Sequence, residues 1–158
     1  MVFKISNFFV ILVILSFPLS SNAEQGIIPR FVSLKVSEAN IRTGPGVKFP
    51  IKWILVKNHL PLEILDHFDN WYKVRDEEQK EGWVHKNLIS SKRFFVVSED
   101  QTLLYKNPKR NYVLYSLEAG VRGRIRSCRN KWCEVEIDNI NGWIDRSKIW
   151  GVYSHEVL

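Results

Sequence analysis

The sequence predicts an all-β protein built from two small β-barrels in tandem. Two strings recur in the same order: "NWYKV" at 70–74 returns as "KWCEV" at 131–135, and "EGWVHKNLI" at 81–89 returns as "NGWIDRSKI" at 141–149. The two offsets are 61 and 60 residues. After residue 24 no helical period persists, whereas short strand patterns with turn signals recur along the chain. The repeat therefore predicts modules at 34–91 and 95–150, with residues 24–33 as a lead-in.

The first 23 residues carry the features of a secretory signal peptide. Lys4 precedes a short apolar run that Pro18 ends, and Ser21 and Ala23 occupy the −3 and −1 positions of a cleavage site. The apolar run is too short for the roughly 20 residues of a membrane-spanning helix. We expect residues 1–23 to be cleaved, the protein to be periplasmic or secreted, and the membrane to be met only before cleavage.

Length and charge exclude several function classes. Of 158 residues, about 135 remain after cleavage, fewer than the roughly 250 of a (β/α)₈ enzyme barrel. The net charge is +6 with the leader, and the basic surplus is spread evenly along the chain. A nucleic-acid binder would have a dense basic patch, so we expect no nucleic acid partner. A mildly basic surface is suited to weak attraction to an anionic cell envelope.

The alternation of apolar and polar residues in each module predicts short strands. In the first, Leu62 and Ile64 alternate with polar positions, and Leu65 breaks the alternation. In "NWYKV", Tyr72 lies on one face of the strand and Trp71 on the other. The string "GPG" at 44–46 is turn chemistry, because proline restricts φ and glycine permits positive φ.

The second module contains both cysteines, Cys128 and Cys133, which an oxidising compartment would join in a disulfide. The strand pattern complicates this pairing. A hairpin that opposes Arg126 to Glu134 places Cys133 opposite Ser127, so the disulfide requires a bulge or twist at 128–131. We expect the disulfide to form.

The same hairpin also accounts for a stripe of arginines. Arg122, Arg124 and Arg126 share one strand face, and in this register Arg124 opposes Glu136. We interpret the stripe as a paired outer face, with an anion site as the alternative.

Three spaced motifs resemble those of the bacterial SH3 (SH3b) domain: "NIRTGPG" at 40–46, "NWYKV", and "GWVHKNLI" at 82–89. The resemblance implies a small barrel with a long RT-like loop after the first motif, a distal hairpin and a closing 3₁₀ turn. The second module matches only through "KWCEV" and "NGWIDRSKIWG" at 141–151, and its opening is degenerate. The layout is similar to small exported SH3-like proteins of Gram-negative bacteria, a group without an assigned activity. The predicted fold is therefore two tandem SH3-like barrels.

The leading candidates for ligand binding are Trp71 and Trp132, because alternation turns them away from the core of their own module. In SH3 folds this position lines the peptide groove. The alternative is that both tryptophans are buried between the modules. Arg42 and Tyr105, at equivalent positions near the RT-like loops, are further candidates.

The other tryptophans and the histidines receive structural roles. We assign Trp83 and Trp143 to the core. The four histidines have no metal-ligand spacing, and no catalytic motif is present in the sequence. We expect no enzyme activity, no metal and no cofactor. The sequence favours a binding module for the cell envelope, with peptidoglycan or an envelope protein as the partner. The alternative is a structural or interaction protein whose exposed aromatics bind a partner chain, with no glycan ligand.

Overall fold

The computed structural model describes residues 27–109 and 111–158. In these ranges the chain folds into two seven-stranded sheets and two short 3₁₀ helices. The all-β class is therefore confirmed. The predicted signal peptide, residues 1–23, lies outside the described residues. Within the described ranges, no helix has both the length and the apolar character needed to cross a bilayer.

The first barrel comprises seven strands and a 3₁₀ helix, Lys86–Leu88, that precedes the last strand. The strands are β1 (Arg30–Leu34), β2 (Ala39–Arg42), β3 (Ile51–Leu55), β4 (Pro61–Phe68), β5 (Trp71–Arg75), β6 (Glu81–His85) and β7 (Ile89–Ser90). Their order in the sheet is β3-β2-β6-β5-β4-β1-β7.

The second barrel repeats this arrangement strand for strand, with a 3₁₀ helix at Arg146–Lys148. Its strands are β8 (Phe94–Val97), β9 (Thr102–Tyr105), β10 (Val113–Leu117), β11 (Arg122–Arg129), β12 (Trp132–Ile137), β13 (Ile140–Asp145) and β14 (Ile149–Trp150). Their order is β10-β9-β13-β12-β11-β8-β14, which is the first order with every number raised by seven. The sequence repeat is thus a repeat of topology.

Each barrel encloses its own apolar core, formed by the inward residues of its strands. The first core contains Val32, Leu34, Ile41, Leu62, Ile64, Val74 and Val84, and the second contains Phe95, Val97, Leu104, Ile125, Cys128, Cys133, Val135 and Ile144.

Strand β1 begins at Arg30, inside the segment that the sequence analysis treated as a lead-in. It pairs with β4 from Arg30 opposite Ile64 to Ser33 opposite Pro61. Its residues 31–34 are all buried, because one face contacts the core of its own barrel and the other faces the second barrel. A strand that is buried on both faces shows no alternation of polar and apolar residues. The sequence of β1 therefore lacks the pattern that predicts a half-exposed strand.

The two barrels contact each other through an aromatic cluster. Phe31 is 6% exposed, and its ring centroid lies 5.0 Å from that of Trp150 and 4.7 Å from that of Tyr153. The Arg93 guanidinium lies over the Phe31 ring at 5.6 Å. Trp150 is the last residue of β14 and Tyr153 follows it, so this last strand and the segment after it pack onto β1.

Polar contacts support the same contact region. The Tyr153 hydroxyl donates to Glu63 Oε1 at 2.6 Å, and Arg75 donates to the other oxygen of Glu63 from Nε and Nη2. Burial and the bond to Glu63 raise the pKa of Tyr153. Arg93 binds both oxygens of Glu156, and these hydrogen bonds lower the pKa of Glu156 although its burial opposes the shift. The buried Glu63 carboxylate is therefore fully paired.

The predicted register of the second hairpin needs one correction. Ser127, not Arg126, lies opposite Glu134. The register shifts between Ile125 and Ser127, so the bulge is at Arg126 and not at 128–131. This earlier bulge reverses the facing of every residue that follows it in β11.

The earlier bulge brings Cys128 directly opposite Cys133. Both side chains are fully buried, their Cα atoms are 4.1 Å apart and the Sγ–Sγ distance is 1.93 Å, which supports the expected disulfide. The backbone of Leu158 pairs with Cys128 on the other side, through N–H···O bonds of 3.1 Å in both directions. In the first barrel, His67 and Tyr72 occupy the same opposed positions.

Candidate functional site

The outer face of strands β5 and β6 carries two tryptophans. Val74 and Val84 point into the core and are 2% and 0% exposed. Trp71 and Trp83 alternate with these valines, so they lie on the opposite face, where both are half-buried.

A third aromatic ring lies on this face. Phe68 is the cross-strand partner of Trp71 and is 63% exposed, and Lys73 is the cross-strand partner of Trp83. Directly opposed side chains in antiparallel strands share a face. We call Phe68, Trp71 and Trp83, with Lys73 among them, the first aromatic face.

The Trp71 ring is held by the end of its own barrel. Its centroid lies 5.3 Å from the His85 imidazole in an edge-on arrangement. His85 in turn caps the 3₁₀ helix, because its Nδ1 accepts the backbone N–H of Asn87 at 3.3 Å. The orientation of Trp71 therefore depends on a hydrogen bond at the start of this helix.

Arg42 braces the RT-like loop that borders the first aromatic face. It is the cross-strand partner of Trp83. Its Nη1 donates to the carbonyls of Val47 and Phe49 at 3.1 and 2.8 Å. An added Cβ at Gly44 would lie 2.5 Å from the Phe49 ring, so glycine permits this ring to cover the turn. Arg42 thus shapes the loop beside the tryptophans.

The second barrel has an equivalent aromatic face. Trp132 alternates with the buried Cys133, and Trp143 with the buried Ile144. The Tyr105 and Trp132 centroids are 5.6 Å apart in an edge-on arrangement, and Tyr105 is also the cross-strand partner of Trp143. The structure therefore brings together Trp132 and Tyr105, two residues that the sequence proposed separately.

The assignment of Trp83 and Trp143 to the core is wrong. Both are half-buried on the outer face, and the buried glycines before them occupy the inward-facing positions of the strands. A Cβ at Gly82 would lie 2.3 Å from Ile41 Cγ2, and a Cβ at Gly142 would lie 2.7 Å from a core leucine. The Gly-Trp order in the sequence could have indicated this. A core side chain packs against the glycine on the inner face, so the tryptophan that follows it in the strand lies on the outer face.

Neither Trp71 nor Trp132 is buried between the barrels. Both are half-buried, Trp71 contacts His85 of its own barrel, and the aromatic contact between barrels is built around Phe31 and Tyr153. That Trp71 and Trp132 bind a ligand stays a prediction.

Charges on the two faces differ at matched positions. Lys73 in the first barrel is replaced by Glu134 in the second. Lys73 Nζ lies 2.8 Å from Glu81, and this hydrogen bond lowers the pKa of Glu81. In the second barrel, burial works against ionisation of Asp145, but hydrogen bonds from Ser147 outweigh it and lower the pKa of Asp145. These carboxyl groups are ionised at neutral pH.

The arginine stripe is divided by the bulge. Arg126 forms an ion pair with Glu136, as expected of a paired outer face, although the partner differs from the predicted Glu134. Arg122 and Arg124 instead line a cleft of about 450 Å³ at the junction of the barrels.

In the described residues, no group of three or more His, Cys, Asp or Glu side chains has the geometry to hold a metal ion. Comparison with known families gives a match to the bacterial SH3 domain, once over residues 35–91 and once over 98–151. The chain belongs to the bacterial SH3 domain family. These two matches correspond to the two barrels, so the family confirms the tandem SH3-like architecture.

Solved structures that resemble this bacterial SH3 protein share little sequence with it. NlpC2 from Trichomonas vaginalis is 12% identical with a TM-score of 0.37, over 81% of this chain and 50% of that one. NlpC1 from the same organism is 13% identical with a TM-score of 0.37, over 80% and 47%. An NlpC/P60 family protein from Bacillus cereus is 15% identical with a TM-score of 0.35, over 76% and 55%. The chain thus spans about half the length of these structures. No curated protein matches its sequence.

Proposed function

We propose that this protein is an exported, non-enzymatic module that binds a cell-envelope component through the first aromatic face. The observation that carries the proposal is the set of three aromatic side chains, Phe68, Trp71 and Trp83, on the outer face of a bacterial SH3 barrel. Bacterial SH3 domains are generally binding modules, and the envelope is the compartment to which the predicted signal peptide would deliver the chain.

The chemistry of this face suits a ligand with both apolar and anionic parts. Tryptophan and phenylalanine rings supply contact area at small entropic cost, because each side chain has only two rotatable bonds. Lys73 lies between the rings, where an anionic group of the ligand would compete with Glu81 for its ammonium, and the loop after Arg42 forms one border of the face. Peptidoglycan, which presents sugar faces and carboxylates, has this combination.

A second candidate function is interaction with a partner chain without any glycan. The observation in its favour is the edge strand β3, whose residues Ile51 and Ile54 are each 48% exposed. Exposed apolar side chains on a sheet edge invite pairing with another polypeptide.

A pulldown with purified insoluble peptidoglycan tests the proposal. Wild type should be retained, and Trp71→Ala and Trp83→Ala should each weaken retention about tenfold, as expected for central aromatic contacts. Tyr112→Ala is the matched control, because Tyr112 is an aromatic residue of the second barrel that is 59% exposed.

The outcomes separate the two functions. Absence of wild-type retention would remove peptidoglycan as the ligand and favour a partner chain. Equal losses from Trp71→Ala and Tyr112→Ala would place the binding outside the first aromatic face. Turnover of any substrate in a hydrolase panel would contradict the non-enzymatic part of the proposal.

A further inference from the structure

A second cleft lies in the second barrel, and one of its lining residues, Asp145, is the cross-strand partner of Trp132. It has a volume of about 520 Å³ and lies between the β11–β12 turn, the 3₁₀ helix and the chain end. Its walls combine polar and apolar groups, from Asn130, Lys131, Arg146, Ile149, Val152 and Ser154. We call it the Arg146 cleft.

Arg146 is a buried cation without an anionic partner among the described residues. It is 6% exposed. Its Nη1 donates to the carbonyls of Tyr153 and Ser154 at 3.1 and 2.7 Å. Its Nε and Nη2 are buried and have no acceptor within the described part of the protein. Buried guanidinium groups are ordinarily paired, because desolvation of an uncompensated charge is costly.

The two nitrogens without acceptors are the pair that binds a carboxylate side-on. Nε–H and Nη2–H of an arginine point in parallel and match the two oxygens of one carboxylate. In the first barrel Arg75 directs this same pair of nitrogens at the Glu63 carboxylate, where both donate to Oε2 at 3.0 and 2.6 Å and Oε1 accepts from Tyr153. The Nε–H and Nη2–H groups of Arg146 therefore have the geometry to bind a planar carboxylate.

The one acidic side chain of the cleft is already engaged. Asp145 Oδ1 accepts the N–H and the hydroxyl of Ser147 at 3.1 and 2.8 Å, and its Oδ2 lies 3.4 Å from Lys131 Nζ. Asp145 therefore serves to cap the 3₁₀ helix, and no described residue accepts from Nε or Nη2 of Arg146.

The first barrel offers an internal comparison. At the position equivalent to Arg146 it has Lys86, which is exposed. Both residues begin their 3₁₀ helices, so the fold itself does not require a buried cation there. The buried guanidinium is thus a property of the second barrel, where its Nη1 also holds the segment after β14.

We propose that the Arg146 cleft binds an organic carboxylate carried by an amino acid or a short peptide. The carboxylate accepts from Nε and Nη2 of Arg146, close to a rim where Lys131 is paired with Asp145. The volume exceeds that of a single inorganic anion, and Ile149 and Val152 supply an apolar wall for the body of the ligand. Because both nitrogens are covered, binding of the carboxylate requires displacement of the groups that cover them.

The test is a titration of the mature chain with N-acetylalanine, followed by the Nε–Hε signal of Arg146 in ¹⁵N-correlated NMR. The signal should move along a saturable curve. N-acetylalanine amide, which lacks the carboxylate, should leave it unmoved, and inorganic phosphate should bind at least about tenfold more weakly. Sodium chloride at equal ionic strength controls for screening.

Two variants keep the proposal falsifiable if the chain end is disturbed. Arg146→Lys retains the charge without the planar fork and should weaken N-acetylalanine binding about tenfold or more, measured by calorimetry. Lys86→Gln alters the equivalent exposed position and should bind as wild type. A linear response without saturation, equal binding of the amide, or tighter binding of phosphate would each overturn the proposal. None of these results depends on retention by peptidoglycan.

Discussion

Reduction of the Cys128–Cys133 disulfide should lower the free energy of unfolding by about 2 kcal/mol. The bond joins residues with a sequence separation of 5, so it closes a loop of six residues. The chain-entropy relation for so small a loop gives about 2 kcal/mol at 25 °C. Reduction removes no heavy atoms, and both cysteines stay in an apolar core, so no cavity cost is added.

The assay compares thermal unfolding of the oxidised and reduced protein. Because both cysteines are fully buried, reduction requires urea together with a phosphine reductant, followed by refolding in the reductant. At about 2–4 °C per kcal/mol for a chain of this size, the melting temperature should fall by about 4–8 °C. Alkylation and intact mass report the number of free thiols in each sample.

The control is the variant Cys128→Ala with Cys133→Ala, which should unfold at one temperature with or without reductant. If mass confirms two free thiols in the wild type and the melting temperature stays unchanged, the loop-closure reasoning is refuted. If free thiols are already present before reduction, the expected pairing in an oxidising compartment is refuted as well.

Three further changes test the contact between barrels and the packing under the tryptophans. Tyr153→Phe should cost about 1–2 kcal/mol at pH 7 by removing the bond to Glu63. Since the pKa of Tyr153 is raised, its contribution is full below about pH 10 and lost as pH rises further, so urea unfolding above pH 10 should weaken wild type more than this variant. Phe31→Ala should cost about 3 kcal/mol in urea unfolding, against under about 0.5 for the exposed Phe68→Ala. Gly82→Ala should cost about 1–3 kcal/mol, because the new Cβ would lie 2.3 Å from a buried isoleucine methyl group.

The repeat made most of the fold predictable. Matching strings at 61 and 60 residues predicted two tandem barrels, and the two sheets have the same strand order. One local irregularity was also visible in the sequence. Leu65 breaks the alternation of β4, and the register of β4 and β5 shifts at that residue. Its equivalent, Arg126, continues the polar stripe of β11 without a break, so the second bulge left no trace in the pattern.

What the sequence could not supply were contacts between distant segments. Phe31 and Tyr153 lie more than a hundred residues apart, Phe31 in the predicted lead-in and Tyr153 beyond the second predicted module. Alternation within one strand assigns each residue to one of two faces, but it does not say whether the outer face meets solvent or another barrel. Trp83 was misplaced for a related reason, since hydrophobic size favoured the core while parity with Val84 required the outer face.

Equivalent positions in the two barrels carry residues of different chemistry. The opposed pair next to the bulge is His67 with Tyr72 in the first barrel and a disulfide in the second. The residue that begins the 3₁₀ helix is the exposed Lys86 in the first barrel and the buried Arg146 in the second. The strand order is the same in both barrels despite these exchanges, so the fold accommodates either set of residues.

Because of these differences, the two proposed sites lie in different barrels. In the first barrel, Phe68, Trp71 and Trp83 leave a broad aromatic surface exposed. In the second, the position equivalent to Phe68 is Arg129, and the Arg146 cleft lies beneath the chain end. A broad face suits an extended polymer, whereas a cleft with one buried fork suits a single carboxylate. If both proposals hold, the two barrels bind different chemical groups, so their contributions to retention on an envelope polymer should be unequal and should differ from the avidity of two equal sites.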